Sequence, residues 1–344
     1  RVEKALENGE KAVFAFGYDV VLPSGAGFLG SGEMGVRLSF FYPEPAYYNE
    51  ATGAFEPVQV SDWGDFYRAK PRDFDISIEH DARYLVVSGG AQTTTAPQGG
   101  RALTTITLKN VRDAALCVSR MYTRYERETA KGAILTAYTN TRAGAKRALD
   151  AAGGMADFLT EKLGACPFES LAIVQTDVEQ SASHPGLIFL PGDLFALSSR
   201  AALERETAFA VAKAWFGVSL QSDPAREPWM SASLCRYLAL RYYAWKYDQA
   251  RFAKELNGNS LDALRVTLPG NLQVDSALSD FQTQSEYDTV IYGRGAAALH
   301  EICVSLGEDT FFEAIRLYYA KNSGGEGGIA AFMERYPQTQ IVAS

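Results

Sequence analysis

Apolar and polar residues alternate along the first third of the chain, with the period of two that sends successive side chains to opposite faces of a strand. Residues 13–18, 36–41, 74–78, 84–88, 102–108 and 114–119 read this way. Turn-forming clusters separate them: Pro23-Ser24-Gly25, Pro43-Glu44-Pro45, Ala51-Thr52-Gly53 and Gly89-Gly90. Proline presets φ and glycine tolerates positive φ, so such clusters interrupt strands. Short strands at this spacing predict an antiparallel, sandwich-like domain over residues 1–120.

From about Gly144 the period becomes helical. Leu149, Ala152, Ala156, Leu159 and Leu163 share one face of a helix predicted over residues 145–163, and Gly164 follows where a helix end favours glycine. Residues 171–175 and 187–190 predict strands, and 201–220, 229–245, 295–306 and 310–319 predict helices. The polar, proline-bearing stretch 257–285 reads as loop, and no internal repeat is evident. The expected fold class is α+β: an antiparallel β domain, then a second domain over residues 121–344 that becomes mostly helical.

Composition narrows the partners. With 47% hydrophobic residues in 344, a sizeable core is available. Thirty-three basic against forty-one acidic side chains leave a net charge of −8. No basic face carries interleaved aromatics, so no nucleic-acid partner is expected. No apolar run approaches the roughly 18 residues of a membrane span. The chain starts at Arg1 without a cationic, apolar leader, which fits a removed signal or a segment of a longer protein, secreted or in the cell envelope.

Recognisable chemistry is sparse. Cys117, Cys166, Cys235 and Cys303 are far apart, so buried thiols are expected in place of a zinc knot or disulfide framework. His80, His184 and His300 form no two-histidine site at local spacing. His300-Glu301-Ile302-Cys303-Val304 begins like a zinc motif but ends in valine. There is no nucleophile elbow or phosphate loop, and Gly25-Ala26-Gly27 lies in a β region with no helix following.

One stretch is informative. Glu206-Thr207-Ala208-Phe209-Ala210-Val211-Ala212-Lys213-Ala214-Trp215-Phe216-Gly217 is followed by Asp223-Pro224 and by Pro228-Trp229-Met230-Ser231-Ala232-Ser233-Leu234-Cys235-Arg236-Tyr237. This resembles the aminopeptidase N-like family of zinc peptidases (gluzincins), in which H-E-x-x-H runs into a W-F-G ending and a W-L-N-E-G-F-A-x-Y helix follows. Histidines at i and i+4 share a helix face and reach one metal, while the glutamate between them is the general base. A glutamate on the next helix completes three ligands and leaves a position for water.

In that register Phe209 and Lys213 stand at the histidine positions and Ala210 at the base. Ala232, three residues after Trp229, stands at the third ligand. Eighteen residues separate it from Lys213, so two anchors agree. Phenylalanine and alanine have no lone pair, and a lysine binds zinc only as the neutral amine.

Further segments extend the resemblance. Ser181-Ala182-Ser183-His184-Pro185-Gly186-Leu187-Ile188-Phe189-Leu190 is similar to the family's substrate-amine strand, with Ser183 at the amine-anchor glutamate. Leu163-Gly164-Ala165-Cys166-Pro167-Phe168 resembles the family's turn into a strand. Tyr42 to Tyr48, Gly64-Asp65-Phe66 and Val111-Arg112-Asp113 match its amino-terminal β domain, with Arg112-Asp113 read as an ion pair. Val290-Ile291-Tyr292-Gly293-Arg294-Gly295-Ala296 is similar to the segment whose tyrosine stabilises the tetrahedral intermediate, and Leu306 to Phe311 fits the helix pair after it.

The resemblance implies a thermolysin-like second domain and a catalytically degenerate member that keeps Tyr292 alone of the expected catalytic side chains. Lys213 is expected in a salt bridge at the former metal position, and His184 is a candidate cleft contact. No cofactor is expected, since the residues do not support the family's zinc. The implied role is a peptide- or protein-binding or scaffold domain. The alternative is an active metallo-aminopeptidase or other hydrolase with a rearranged site.

Overall fold

The computed structural model describes residues 9–25, 27–50, 52–56, 61, 63–65, 67–164, 166–328 and 332. Ala26, Ala51, Phe66 and Ala165 of the segments above lie outside the described residues, as do 1–8 and 333–344 of the two predicted domains.

The first strands are β1 (Gly30–Gly32), β2 (Gly35–Ser39), β3 (Tyr48–Asn49), β4 (Ala54–Phe55), β5 (Arg72–Asp81), β6 (Leu85–Ser88), β7 (Ala91–Thr94), β8 (Arg101–Val111) and β9 (Ala115–Ser119). They form an antiparallel sheet of order β1-β2-β9-β6, a second of order β5-β8-β7, and the hairpin β3-β4. Val86, Ile106, Leu108, Ala114 and Leu116 fill a shared core, contributed by alternate positions of β6, β8 and β9.

The later strands are β10 (Thr123–Glu128), β11 (Ile134–Thr139), β12 (Ser170–Thr176), β13 (Ala182–His184) and β14 (Leu187–Pro191), in one sheet of order β10-β11-β12-β14-β13. β11, β12 and β14 run parallel, while β10 and β13 are antiparallel edges. The unbroken apolar runs of β12 and β14 follow from cover on both faces.

The helices are α1 (Arg142–Leu163), α2 (Arg200–Trp215), α3 (Pro228–Lys246), α4 (Gln249–Leu256), α5 (Gln284–Tyr287), α6 (Gly295–Leu306) and α7 (Glu308–Asn322). α1 crosses over between parallel β11 and β12. Its cap, the Thr141 hydroxyl, accepts from Gly144 N at 3.2 Å. α2 and α3 are buried nearly all round from Thr207 to Trp215 and from Pro228 to Leu234, so they form the core of this half. The chain is α+β.

Three expectations need correction. Residues 13–18 pair with no strand among the described residues, and Val13 is 94% exposed. Alternation marks a segment compatible with pairing, but a strand also requires a neighbour at the right edge. The helix expected to residue 220 ends at Trp215. Phe216 leaves helical geometry, and the N–H groups of Val218, Ser219 and Leu220 turn back to the carbonyls of Lys213, Ala214 and Trp215 at 2.9–3.0 Å. The expected loop 257–285 contains wide-turn helix at Asn257–Leu261 and tight turns, because α4 runs on into it.

A close approach of two glycines joins the two halves near the site. A Cβ on Gly89, between β6 and β7, would lie 1.8 Å from the Pro185 carbonyl oxygen, just before Gly186 (φ +66°). Only glycine lets these turns meet, and the contact fixes the strand carrying His184.

Candidate functional site

α2, α3 and a π-helical stretch, Asp288–Arg294 between α5 and α6, converge on one point. π-helical stretches widen a helix locally and recur at functional sites, and this one carries Tyr292. The Phe209 ring meets the Tyr292 ring edge-on at 5.4 Å. From α3, the Arg236 guanidinium lies 4.2 Å from the Phe209 ring centre and 4.9 Å from that of Tyr292. Glu206 pairs with Arg236 at 3.2 Å. Ala210 and Ala232 are buried and contribute methyl groups.

The residues at these positions do not fit a zinc ion. Ring, methyl and guanidinium groups fill the place where lone pairs would be needed. Among the described residues no group of three or more His, Cys, Asp or Glu is placed to hold a metal.

Lys213 is 7% exposed, and its ammonium pairs with the Asp65 carboxylate from the first half of the chain. Burial alone would lower the lysine pKa, but the Asp65 charge and hydrogen bond outweigh it and hold it above the ordinary 10.5. Backbone geometry delivers Asp65. Gly64 has φ +70°, and a Cβ there would lie 2.7 Å from the Tyr287 ring. Burial pushes the Tyr292 phenol up to about 12 against the pull of Lys213, so it stays protonated at neutral pH and can donate.

On β13, the Ser183 hydroxyl donates to the Ala210 carbonyl at 2.9 Å, tying the edge strand to α2. His184 Nδ1 meets the Asp113 carboxylate, and Nε2 lies 3.3 Å from the Ser39 hydroxyl. A carboxylate requires a donor, so Nδ1 donates to Asp113 and Nε2 is left facing the Ser39 hydroxyl. This chain has the order of a Ser-His-Asp relay. Ser39, however, is 1% exposed and is not on the cavity wall.

Arg112 and Asp113, expected in an inter-domain or turn ion pair, do not pair with each other; both reach the second half of the chain, Asp113 at His184. The Arg112 guanidinium donates to the carbonyls of Val218 at 2.7 Å, Ser219 at 3.3 Å and Gly325 at 2.6 Å. Burial lowers its pKa, the pulls of Glu326 and Asp113 being smaller.

These groups border a cavity of about 580 Å³. Asp65, Arg112, Ser183, His184, Lys213 and Tyr292 are on its wall, whereas Phe209, Ala210 and Ala232 lie behind it. Of the residues named from the sequence, Ser183, His184, Lys213 and Tyr292 line one cleft, Phe209 packs on Tyr292 behind it, and Ala210 and Ala232 are buried off its wall. His80 is remote, bonded to Thr104 at 2.8 Å, and His300 lies 3.2 Å from the Tyr237 hydroxyl.

Asp65, Ser39, Glu206 and Arg236 were not foreseen as site residues. Arg236 had a readable signal, one helical turn beyond Ala232 on the same face. Asp65 and Ser39 had none, since long-range folding brings them in. No protein-family model matches the chain, and no curated protein matches it.

Proposed function

We infer that this chain is a metal-free relative of the aminopeptidase N-like peptidases, with a thermolysin-like second domain, whose cleft binds a peptide or protein segment. The observation that carries the reading is the cavity itself. It stays open beside the position where the resemblance puts zinc, and an edge strand runs along it. Among the described residues β13 has a single neighbour, β14, and Ser181 to His184 line the cavity. An extended peptide laid along such an edge gains main-chain hydrogen bonds, with neighbouring pockets reading its side chains. Tyr292, kept protonated, can donate to a bound carbonyl as well as it would to an oxyanion. Phe209, Ala210 and Ala232 offer neither metal ligands nor a base at the family positions, so the family's metal-assisted hydrolysis is not part of this reading.

The test combines metal analysis of the purified protein, an aminoacyl-amide assay in added zinc, and calorimetric titration with short extended peptides. Peptide binding without zinc or turnover supports the reading. Stoichiometric zinc with turnover overturns it.

The Ser39–His184–Asp113 chain favours a second reading, a hydrolase with a rearranged site. The burial of Ser39 away from the cavity weighs against it. Covalent labelling of Ser39 by a fluorophosphonate in the native protein would favour it.

A further inference from the structure

The cavity wall holds two buried cations, Lys213 and Arg112, and three carboxylates, Asp65, Asp113 and Glu179. Lys213 and Arg112 are 7% and 6% exposed. Among the described residues no carboxylate lies within ion-pair distance of Arg112, whose Nη groups are spent on carbonyl oxygens. Asp113, the carboxylate next in sequence, is engaged by His184. Glu179 stands exposed at the rim. Lys213 is compensated by Asp65, and the two partners differ sharply: the lysine side chain is 9% exposed and the aspartate 46%. Asp65 is therefore a counter-ion that solvent already reaches, lying on a buried charge that must always have one.

Resting on the reading that the cleft binds peptide, we propose that the group this cleft recognises is a carboxylate, which replaces Asp65 on the Lys213 ammonium. The exchange leaves the buried charge paired before and after, so the desolvation cost of an unpaired ammonium never arises. The released Asp65 returns to water, where a carboxylate is well solvated. The amine anchor that the resemblance would place here is missing. Ser183 stands where the family's amine-binding glutamate belongs, and its hydroxyl is occupied by the Ala210 carbonyl. Two sources offer the required chemistry, the carboxyl terminus of a peptide and an internal Asp or Glu side chain. Asp65 acts as a built-in competitor for either.

The competitor is removed by Asp65→Ala, with Asp65→Asn as a second variant should the first fail to fold, and the receptor is removed by Lys213→Met. Far-UV circular dichroism and a cooperative thermal transition check folding. The first probe is acetate at constant ionic strength, with chloride as control. In the Asp65 variants acetate should raise the thermal midpoint progressively, as a ligand of the native state must. The wild type should respond at least tenfold less sensitively, and Lys213→Met not at all.

The second set of probes is an N-acetylated tetra-alanine with a free carboxyl terminus, its amide, and an amide of the same length with one internal Asp, all followed by calorimetry. Binding of the free acid alone assigns the carboxyl terminus, and binding of the Asp peptide assigns the side chain. Either should tighten at least tenfold on removing Asp65. Peptides that bind equally well as plain amides and to Lys213→Met would overturn this inference while leaving peptide binding intact. No acetate response in a folded Asp65 variant would also overturn it. Failure of every peptide, with the acetate response present, would sink the peptide reading and leave a receptor for small carboxylates.

Discussion

Replacing Asp65 by asparagine removes one charge at nearly constant shape, and the structure determines what that should cost. Breaking a buried ion pair by removing one partner typically costs about 3–5 kcal/mol, because the other charge is left without compensation. An exposed pair is worth only about 0–1 kcal/mol. This pair is mixed, 9% exposed at Lys213 and 46% at Asp65. Water can partly replace the lost carboxylate, so Asp65→Asn should lose about 1–2 kcal/mol. Lys213→Met removes the charge that needs compensation and frees Asp65 to solvent, so it should be neutral or stabilising by up to about 1 kcal/mol. The double variant should match Lys213→Met, giving a coupling of about 1–2 kcal/mol in the cycle.

The pH dependence has a defined sign. In the wild type the Lys213 pKa is raised above 10.5, so its contribution is present below 10.5 and fades as pH climbs through the folded-state value. Removing Asp65 leaves burial, the largest influence, opposed only by Tyr292 and Cys235, and should carry the pKa below 10.5. The folded variant then sheds the proton more readily than the unfolded chain, so its stability rises as pH rises toward 10.5. The deficit of Asp65→Asn should therefore narrow between neutral pH and that limit. Urea titrations followed by tryptophan fluorescence, with Trp215 fully buried, report the differences. An Asp65→Asn midpoint equal to wild type, a loss above about 3 kcal/mol in Lys213→Met, or a deficit that widens with pH would refute the reasoning.

Other predictions test the surroundings. Gly64→Ala must hold φ +70° and meet the Tyr287 ring, and should cost about 1–3 kcal/mol by thermal melting, with Gly89→Ala at least as damaging because its Cβ meets a backbone carbonyl. Cys117, Cys235 and Cys303 are buried free thiols and Cys166 is partly exposed, so a thiol reagent should modify Cys166 first in the native protein and the others only on unfolding. The proposed register is tested by Phe209→His, Lys213→His and Ala232→Glu together with Arg236→Leu, which removes the guanidinium from above the Phe209 ring. The combined variant should take up about one zinc per chain by mass spectrometry, since the i, i+4 pair and the facing glutamate would then share one point. A folded variant that takes up none would contradict the register.

Much of the fold was readable because burial on one or both faces leaves a periodic trace. The helix at Arg142–Leu163 and the apolar strands Ser170–Thr176 and Leu187–Pro191 are elements of that kind. Residues 13–18 carry the same trace without a partner strand among the described residues, so alternation misled there. At the site, Phe209, Lys213 and Ala232 are read from the register of a resemblance along two helices, where spacing is local. Asp65 and Ser39 come from distant segments, and no spacing could announce them. Arg236 is within reach of the same helical count, one turn beyond Ala232, but stands at no position that the resemblance marks.

On the proposed reading this cleft binds and does not hydrolyse. The most direct measurement is zinc content together with turnover of alanyl-amide substrates, on protein purified without chelator and assayed with added zinc. The account predicts substoichiometric zinc, removable without loss of fold, and no turnover above the uncatalysed rate. One tightly held zinc per chain with turnover that falls on chelation would contradict it.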